Sequence, residues 1–232
     1  MRHPSRFSAS WSVTRVVILL NVVAFIVQNV SDSLQLRTLY GELTLSVEGL
    51  KHGHLWQLIT SQFLHAPIAD GGEFQLLANM FLIYLLGQPV EMAIGKRRFL
   101  ELYLTCGALG SALQMAGGVF WPDRFGVAIM GASASAFGLI AAYAVLFPRR
   151  KLTMFFLPVA VHAWTLFGLA VTISLSGILY TTTATSAIAH YAHLGGLLAG
   201  LTMICYWAVR APLVLTPVTQ SSGAFATNRT TN

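Results

Sequence analysis

Long apolar runs separated by short polar connections dominate the chain. They cover roughly residues 14–30, 74–94, 99–119, 132–147, 152–175 and 188–209. A helix needs about 20 residues to cross the hydrocarbon core of a bilayer, and each run approaches that length, although the fourth is short. The pattern predicts an all-α membrane protein, a bundle of six transmembrane helices.

The composition supports this fold class. Of the 232 residues, 55% are apolar and only 9% are charged. Charged residues make up about 25% of an average soluble domain. An ordinary water-soluble domain needs more charge than this to cover its surface, so that class is excluded.

Basic residues cluster at four places that a six-span chain puts on one side of the membrane. Eleven of the fourteen Lys and Arg lie before or at the start of the first run, between the second and third, between the fourth and fifth, and after the sixth. The positive-inside rule therefore predicts that both termini are cytoplasmic. The net charge of +6 does not indicate a nucleic-acid partner, because these cations anchor short loops and do not form one basic face in water.

The predicted membrane domain covers residues 14–210. It follows a cytosolic segment at 1–13 and precedes a tail at 211–232, which is rich in Ser, Thr and Asn and is expected to be disordered. The start resembles a signal peptide, but no small-residue cleavage site follows Val30. An uncleaved first span is therefore the preferred interpretation.

The first external loop is predicted to be long, at about residues 31–72. In its middle, apolar residues recur at helical spacing, at positions 55, 56, 59 and 63. That spacing predicts an amphipathic helix lying in the outer membrane interface.

Three polar residues share one depth in the predicted bundle. Ser133 lies 16 positions before the basic residue that ends its span, and His193 and Asn79 lie 17 positions before theirs. At 1.5 Å per helical residue, all three lie about 24–26 Å above the inner anchors, several ångströms below the outer surface. Polar groups inside a membrane are costly, so these three residues are functional candidates.

Small residues predict which spans touch. They repeat every four residues on the fourth span, at 134, 138 and 142, and on the sixth, at 192, 196 and 200. Such stripes let helix backbones approach closely in lipid. Packing stripe on stripe brings Ser133, a candidate nucleophile, near His193, a candidate base.

The fourth span starts late, so its N-terminus lies inside the membrane. The free N–H groups there can stabilise an oxyanion, and Asn79 can donate a further hydrogen bond. No Asp or Glu occupies this depth. The predicted arrangement is therefore a Ser–His dyad without a third carboxylate.

Each of these residues also has a structural interpretation. Ser133 could cap the fourth helix, His193 and Asn79 could hydrogen-bond between helices, and Gln75 could be a polar residue at the membrane edge. Glu91 is expected to pair with a basic residue of the inner loop, at position 97 or 98.

A metal site is not predicted. His190 and His193 are one turn apart, and further histidines lie at positions 52, 54 and 65. Carboxylate or Cys ligands, which usually complete such sites, are missing at this depth. We expect no metal and no other cofactor.

Four segments carry a family resemblance. They are GASASAFG at 131–138, AHLGGLLAG at 192–200, LANM at 77–80 followed by LGQPVE at 86–91, and the third span with GKRR at 95–98. In order and over about residues 14–210, the chain resembles the rhomboid family of intramembrane serine proteases. The resemblance implies cleavage of single-span membrane proteins, whose helix unwinds near the outer face and enters from the side.

The resemblance also implies residue roles. Ser133 would attack the peptide carbonyl, and His193 would take its proton and pass it to the leaving amine. Asn79, with Gln75 and Gly131, would form the oxyanion and binding set.

Three positions depart from the family pattern. Gln75 stands where the family often has His, Gln57 where it commonly has Arg after Trp, and Ala134 where it usually has Gly. These departures motivate an alternative, a rhomboid-like protein that binds membrane helices without cutting them. A small transporter is a third possibility, although no internal repeat is visible.

The expected partners are single-span membrane substrates and the lipid bilayer. The expected location is a bacterial inner membrane, since no additional span or long presequence is seen.

Overall fold

Six helices of the described chain contain 14 residues or more, and each satisfies its backbone hydrogen bonds mainly within itself. The computed structural model describes residues 11–33, 38–125, 128–154, 157–180 and 189–210. In chain order, the helices are α1 (Val13–Ser33), α2 (Thr38–Gly41), α3 (Val47–Lys51), α4 (Gln57–Thr60), α5 (Gly72–Ile94), α6 (Lys96–Phe120), α7 (Pro122–Phe125), α8 (Ser133–Leu146), α9 (Ala163–Tyr180) and α10 (His190–Arg210). The strands are β1 (Leu45–Ser46), β2 (Ala128–Ile129), β3 (Lys151–Met154) and β4 (Leu157–His162).

The described chain is mostly helical, and four of its helices are long and apolar enough to cross a membrane: α1, α5, α9 and α10. The apolar helix α8 is shorter, with 14 residues. α6 begins with three basic residues. The prediction of an all-α fold needs one amendment, because β1 pairs with β2 and β3 pairs with β4 in two small antiparallel sheets.

The fifth predicted span, 152–175, is displaced in the structure. Its part before Ala163 contains the paired strands β3 and β4, and the helix α9 begins only at Ala163 and extends to Tyr180. The sequence explains the break, since Pro158 cannot donate in a helix interior and Val159 and Val161 are β-branched. An apolar run alone did not distinguish a strand from a helix.

The long segment between α1 and α5 contains short elements rather than one amphipathic helix. α4 has only four residues and continues into a 3₁₀ turn at Ser61–Phe63. Leu55 is 64% exposed and Trp56 is 49% exposed, whereas Phe63 packs against Tyr103. The predicted apolar face therefore exists only in part, because the chain turns before Phe63 can join it.

Glu91 joins α5 to the first turn of α1. Its carboxylate accepts hydrogen bonds from the Val13 N–H at 2.9 Å, the Thr14 N–H at 2.8 Å and the hydroxyls of Ser12 and Thr14. The predicted ion pair with a basic residue of the inner loop is wrong, since Arg97 instead pairs with Glu101. The free N–H groups of a helix start and its dipole compete successfully for the carboxylate.

The core of the bundle is the close contact of α8 with α10. A Cβ added to Gly196 would lie 2.1 Å from the Ala134 carbonyl oxygen, and one added to Gly200 would lie 2.4 Å from that of Gly138. The contacts advance in the same direction on both helices, so the helices run parallel and pack through their small residues. This part of the prediction is confirmed.

The expected terminal segments mostly fall outside the described residues. Residues 1–10 and the predicted tail at 211–232 are not described.

Candidate active site

Ser133 is the first residue of α8. The residue that caps the helix is Ala132, and no side chain makes a capping hydrogen bond there. The interpretation of Ser133 as a helix cap is therefore wrong. Its hydroxyl is available for another partner, and the N–H groups of this first turn have no partner within the helix.

That partner is His193. The Nε2 atom of His193 lies 2.9 Å from the Ser133 Oγ, across 60 positions of sequence. The parallel packing of α8 on α10 produces this contact, because both residues lie near the N-terminal ends of their helices.

Phe137 fixes the plane of the His193 ring. The two rings stack with centroids 4.1 Å apart and an interplanar angle of 15°. Within the described residues, the Nδ1 atom of His193 is buried and has no hydrogen-bond partner. The ring is thus held by an aromatic face where a triad would use a carboxylate. Sequence reasoning missed Phe137, although its position one turn after Ser133 places it on the same helix face.

The segment before Ser133 is tied down by backbone contacts. β2 pairs with β1, and the Gly131 N–H donates to the Ser61 carbonyl at 2.9 Å. Gly131 has a φ of +130°, a conformation that suits glycine. Its N–H already donates to Ser61 and is not free for an oxyanion. Gly131 instead contributes its backbone conformation and the space that a side chain would fill.

Gln75 and Asn79 converge on that open space from α5. A Cβ added to Gly131 would lie 2.7 Å from the Gln75 Nε2 and 3.9 Å from the Asn79 Nδ2. The side-chain amides of Gln75 and Asn79 therefore both lie beside Gly131, two positions before Ser133. The arrangement brings together all five residues that the sequence singled out.

Gln75 is also a brace between two loops. Its Oε1 accepts from the Ala66 N–H at 2.9 Å, and its Nε2 donates to the Met130 carbonyl at 3.2 Å. One N–H of its amide remains for another acceptor.

The other two departures from the family pattern are accommodated by packing. Gln57 is buried and holds the loop through hydrogen bonds to the Glu42 carbonyl and the Ser46 N–H. The Cβ of Ala134 faces Gly110 of α6, where an added Cβ would lie only 2.9 Å away. The neighbouring Ser135 donates to the Gln62 Oε1 at 3.1 Å and does not join the dyad.

His65 lies buried beside the site, and it is a hydrogen-bonding residue of the loop, as the sequence favours over a metal ligand. Its Nε2 lies 3.1 Å from the Asn79 Nδ2. Burial lowers its pKa to about 4, against a smaller, opposing effect of a backbone interaction with Phe63. Among the described residues, no group of three or more His, Cys, Asp or Glu side chains could hold a metal ion.

A sequence model of the Rhomboid domain matches residues 52–210, which is more than half of the chain. The chain belongs to the rhomboid family. The match contains every residue of the Ser133 site, from Gln75 to His193.

Individual rhomboid proteins match this chain at low sequence identity. A putative rhomboid protease of Bacillus subtilis is 34% identical over 95 residues, covering 41% of this chain and 43% of the relative. A rhomboid-like protease of Toxoplasma gondii is 26% identical over 153 residues, covering 66% and 52%. The human mitochondrial presenilin-associated rhomboid-like protein is 26% identical over 168 residues, covering 68% and 42%.

The chain thus spans about half or less of these relatives' lengths. It is a multi-pass membrane protein of the rhomboid family. The relatives include mitochondrial and bacterial proteins, so they do not single out the bacterial inner membrane that the sequence analysis expected.

Proposed function

We propose that this rhomboid-family protein is an intramembrane serine endopeptidase that uses a Ser133–His193 dyad. The observation that carries the proposal is the 2.9 Å contact between the Ser133 Oγ and the His193 Nε2. This distance is within the range required for proton transfer from a nucleophile to its base.

The chemistry follows the roles of the two side chains. The Ser133 Oγ attacks the carbonyl carbon of the scissile peptide bond while the His193 Nε2 takes its proton. The tetrahedral intermediate collapses, the carbon–nitrogen bond breaks, and His193 gives the proton to the leaving amine. Water then hydrolyses the ester on Ser133 by the same proton transfers in a second round.

The oxyanion would be held by three kinds of donor. They are the free N–H of Ser133 at the start of α8, an N–H of Asn79 and the remaining N–H of Gln75. No cofactor takes part in these steps.

The substrates would be single-span membrane proteins. We assign the chain six spans by adding the long helix α6 and the shorter apolar helix α8 to the four helices that are long and apolar enough to cross a membrane. The basic ends would face the cytoplasm or the equivalent compartment, with both termini on that side. Residues 14–210 would form the membrane domain, with the external loop at about 31–72.

The first test is labelling of the detergent-purified full chain with a fluorophosphonate probe. We expect the wild type to be labelled, and Ser133→Ala and His193→Ala to lose labelling by about 100-fold or more. Ser135→Ala is the matched control, because this hydroxyl lies two positions away, is buried and bonds to Gln62.

Labelling that survives in Ser133→Ala would contradict the assignment of the nucleophile. A folded wild-type protein that is not labelled would favour the alternative, a rhomboid-like protein that binds helices without cutting them.

A further inference from the structure

The orientation of the Asn79 side-chain amide decides whether it can donate an N–H to the proposed oxyanion. Gln75 has both ends of its amide on backbone groups, whereas Asn79 reaches the same space from one turn further along α5. The oxygen and nitrogen of an amide are nearly the same size, so packing alone does not decide which one faces the substrate. A hydrogen-bond partner must decide it.

That partner is His65. Its ring is fully buried, and its Nε2 lies 3.1 Å from the Asn79 Nδ2. If the Nε2 atom carries a lone pair, it accepts one N–H of Asn79 and leaves the second N–H free. If it carries a proton, the amide must turn its oxygen toward the ring.

The surroundings favour the accepting form. Nδ1 makes no well-formed hydrogen bond to the described residues, but a weaker backbone interaction with Phe63 favours a proton on the ring. With Nε2 facing Asn79, Nδ1 is the nitrogen left for that proton. Burial keeps the ring neutral at ordinary pH, with a pKa lowered to about 4.

α1 holds His65 in place. The Gln28 side chain donates to the His65 carbonyl and accepts from the His65 N–H at 3.2 Å. Phe25 packs edge-on against the ring, with centroids 6.3 Å apart. The residue is therefore fixed on its backbone and on its ring before it meets Asn79.

We propose that His65 is a positioning residue that accepts one N–H of Asn79 and so directs the other N–H toward the oxyanion beside Ser133. The inference rests on the proposed function. It also gives α1 a part in the chemistry, although α1 contributes no residue to the dyad. Gln28 holds His65, and His65 orients Asn79.

A double-mutant cycle tests this role. His65→Phe keeps the ring volume and removes the acceptor, and we expect it to slow fluorophosphonate labelling by about 10-fold. Asn79→Ala removes the donor, for which a loss of about 100-fold is typical. If His65 acts through Asn79, the double variant is as slow as Asn79→Ala alone, and His65→Gln, which restores an acceptor, recovers part of the rate.

Gln62→Met is the matched control. Gln62 is a buried polar residue of the same loop that bonds to the Leu58 and Leu104 carbonyls and does not touch Asn79. The fold-loss in labelling rate for Gln62→Met combined with Asn79→Ala should equal the product of the two single fold-losses. If the effects of His65→Phe and Asn79→Ala also multiply, to about 1,000-fold, His65 is only structural and the inference is overturned.

A second readout does not depend on activity. Nitrogen-15 NMR of histidine-labelled protein reports which ring nitrogen of His65 carries the proton. We expect a neutral ring with a bare Nε2 whose signal shifts in Asn79→Ala. A protonated Nε2 overturns the inference even in an active enzyme. A bare Nε2 in a protein that does not react with the fluorophosphonate probe supports the orientation of Asn79, while the proposed protease function fails.

Discussion

At the scale of single residues, the important polar side chains are held by backbone groups and aromatic rings. His193 stacks on Phe137, Gln75 bridges two backbone groups, and Glu91 accepts the N–H groups of a helix start. Each of these side chains is buried or partly buried, so the loss of its partner leaves a polar group in poor contact with water, which is costly.

His65 should make stability depend on pH. The unfolded histidine binds a proton below about pH 6.5, while the folded one stays neutral down to about pH 4. The unfolded state therefore binds more protons in this window, and stability falls as the pH drops through it, by up to about 1.4 kcal/mol per pH unit. Thermal unfolding in detergent at pH 7.5 and pH 4.5 checks this, and His65→Gln should lose that part of the pH dependence. An equal pH dependence in the variant would contradict the assignment.

Glu91→Gln should loosen the start of α1. The substitution removes a charge that accepts four hydrogen bonds and faces a helix N-terminus, and the new NH₂ group faces N–H donors. We expect the free energy of unfolding to fall by about 2–3 kcal/mol. Unfolding can be followed by the reaction of buried Cys106 with a thiol dye, in a Cys205→Ser background because Cys205 is exposed.

Glu101→Gln is the control for Glu91. Glu101 pairs with Arg97, whose side chain is 93% exposed, so its removal should change stability by less than about 0.5 kcal/mol. Equal effects at the two positions would contradict the capping role of Glu91.

At the scale of elements, the contact of α8 with α10 places the dyad. An added methyl at Gly200 would lie 2.4 Å from the Gly138 carbonyl oxygen, so Gly200→Ala must push the helices apart. We expect a destabilisation of about 1–3 kcal/mol and a large drop in fluorophosphonate labelling, because Ser133 and His193 separate. Gly168→Ala on α9, where an added Cβ meets nothing within 4 Å, should leave both unchanged. Unchanged labelling in Gly200→Ala would mean that this contact does not set the dyad distance.

The elements also show what a sequence can predict. The long helices, the small-residue stripes and the proximity of Ser133 to His193 follow from apolar periodicity and spacing, which are local signals. The β3–β4 pair was missed because an apolar run is compatible with either a strand or a helix. The partner of Glu91 and the contact between His65 and Asn79 join residues distant in sequence through loops, whose path no local pattern specifies.

At the scale of the whole molecule, two cations near helix ends pack against aromatic rings. Arg98 at the start of α6 lies over the Trp207 ring near the end of α10, at 5.7 Å. Arg210 lies over the Tyr206 ring at 4.9 Å. Such pairs of cations and amphipathic rings are typical of a membrane interface.

The topology predicts opposite accessibility for two lysines. In a cysteine-free background, Lys51→Cys should react with an impermeant maleimide only from the outer side, and Lys151→Cys only from the inner side. Both positions are exposed, so burial does not confound the comparison. Reaction of both from the same side would contradict the six-span arrangement.

The Glu91 cap has a consequence for how the chain is made. Synthesis proceeds from the N-terminus, and the carboxylate that completes the first turn of α1 follows Thr14 by 77 positions. The nascent first helix therefore enters the membrane with its leading N–H groups unmatched and obtains its cap only when α5 has been inserted beside it. A chain truncated before Glu91 would leave the start of α1 without this cap, whereas a chain that continues well past α5 would supply it.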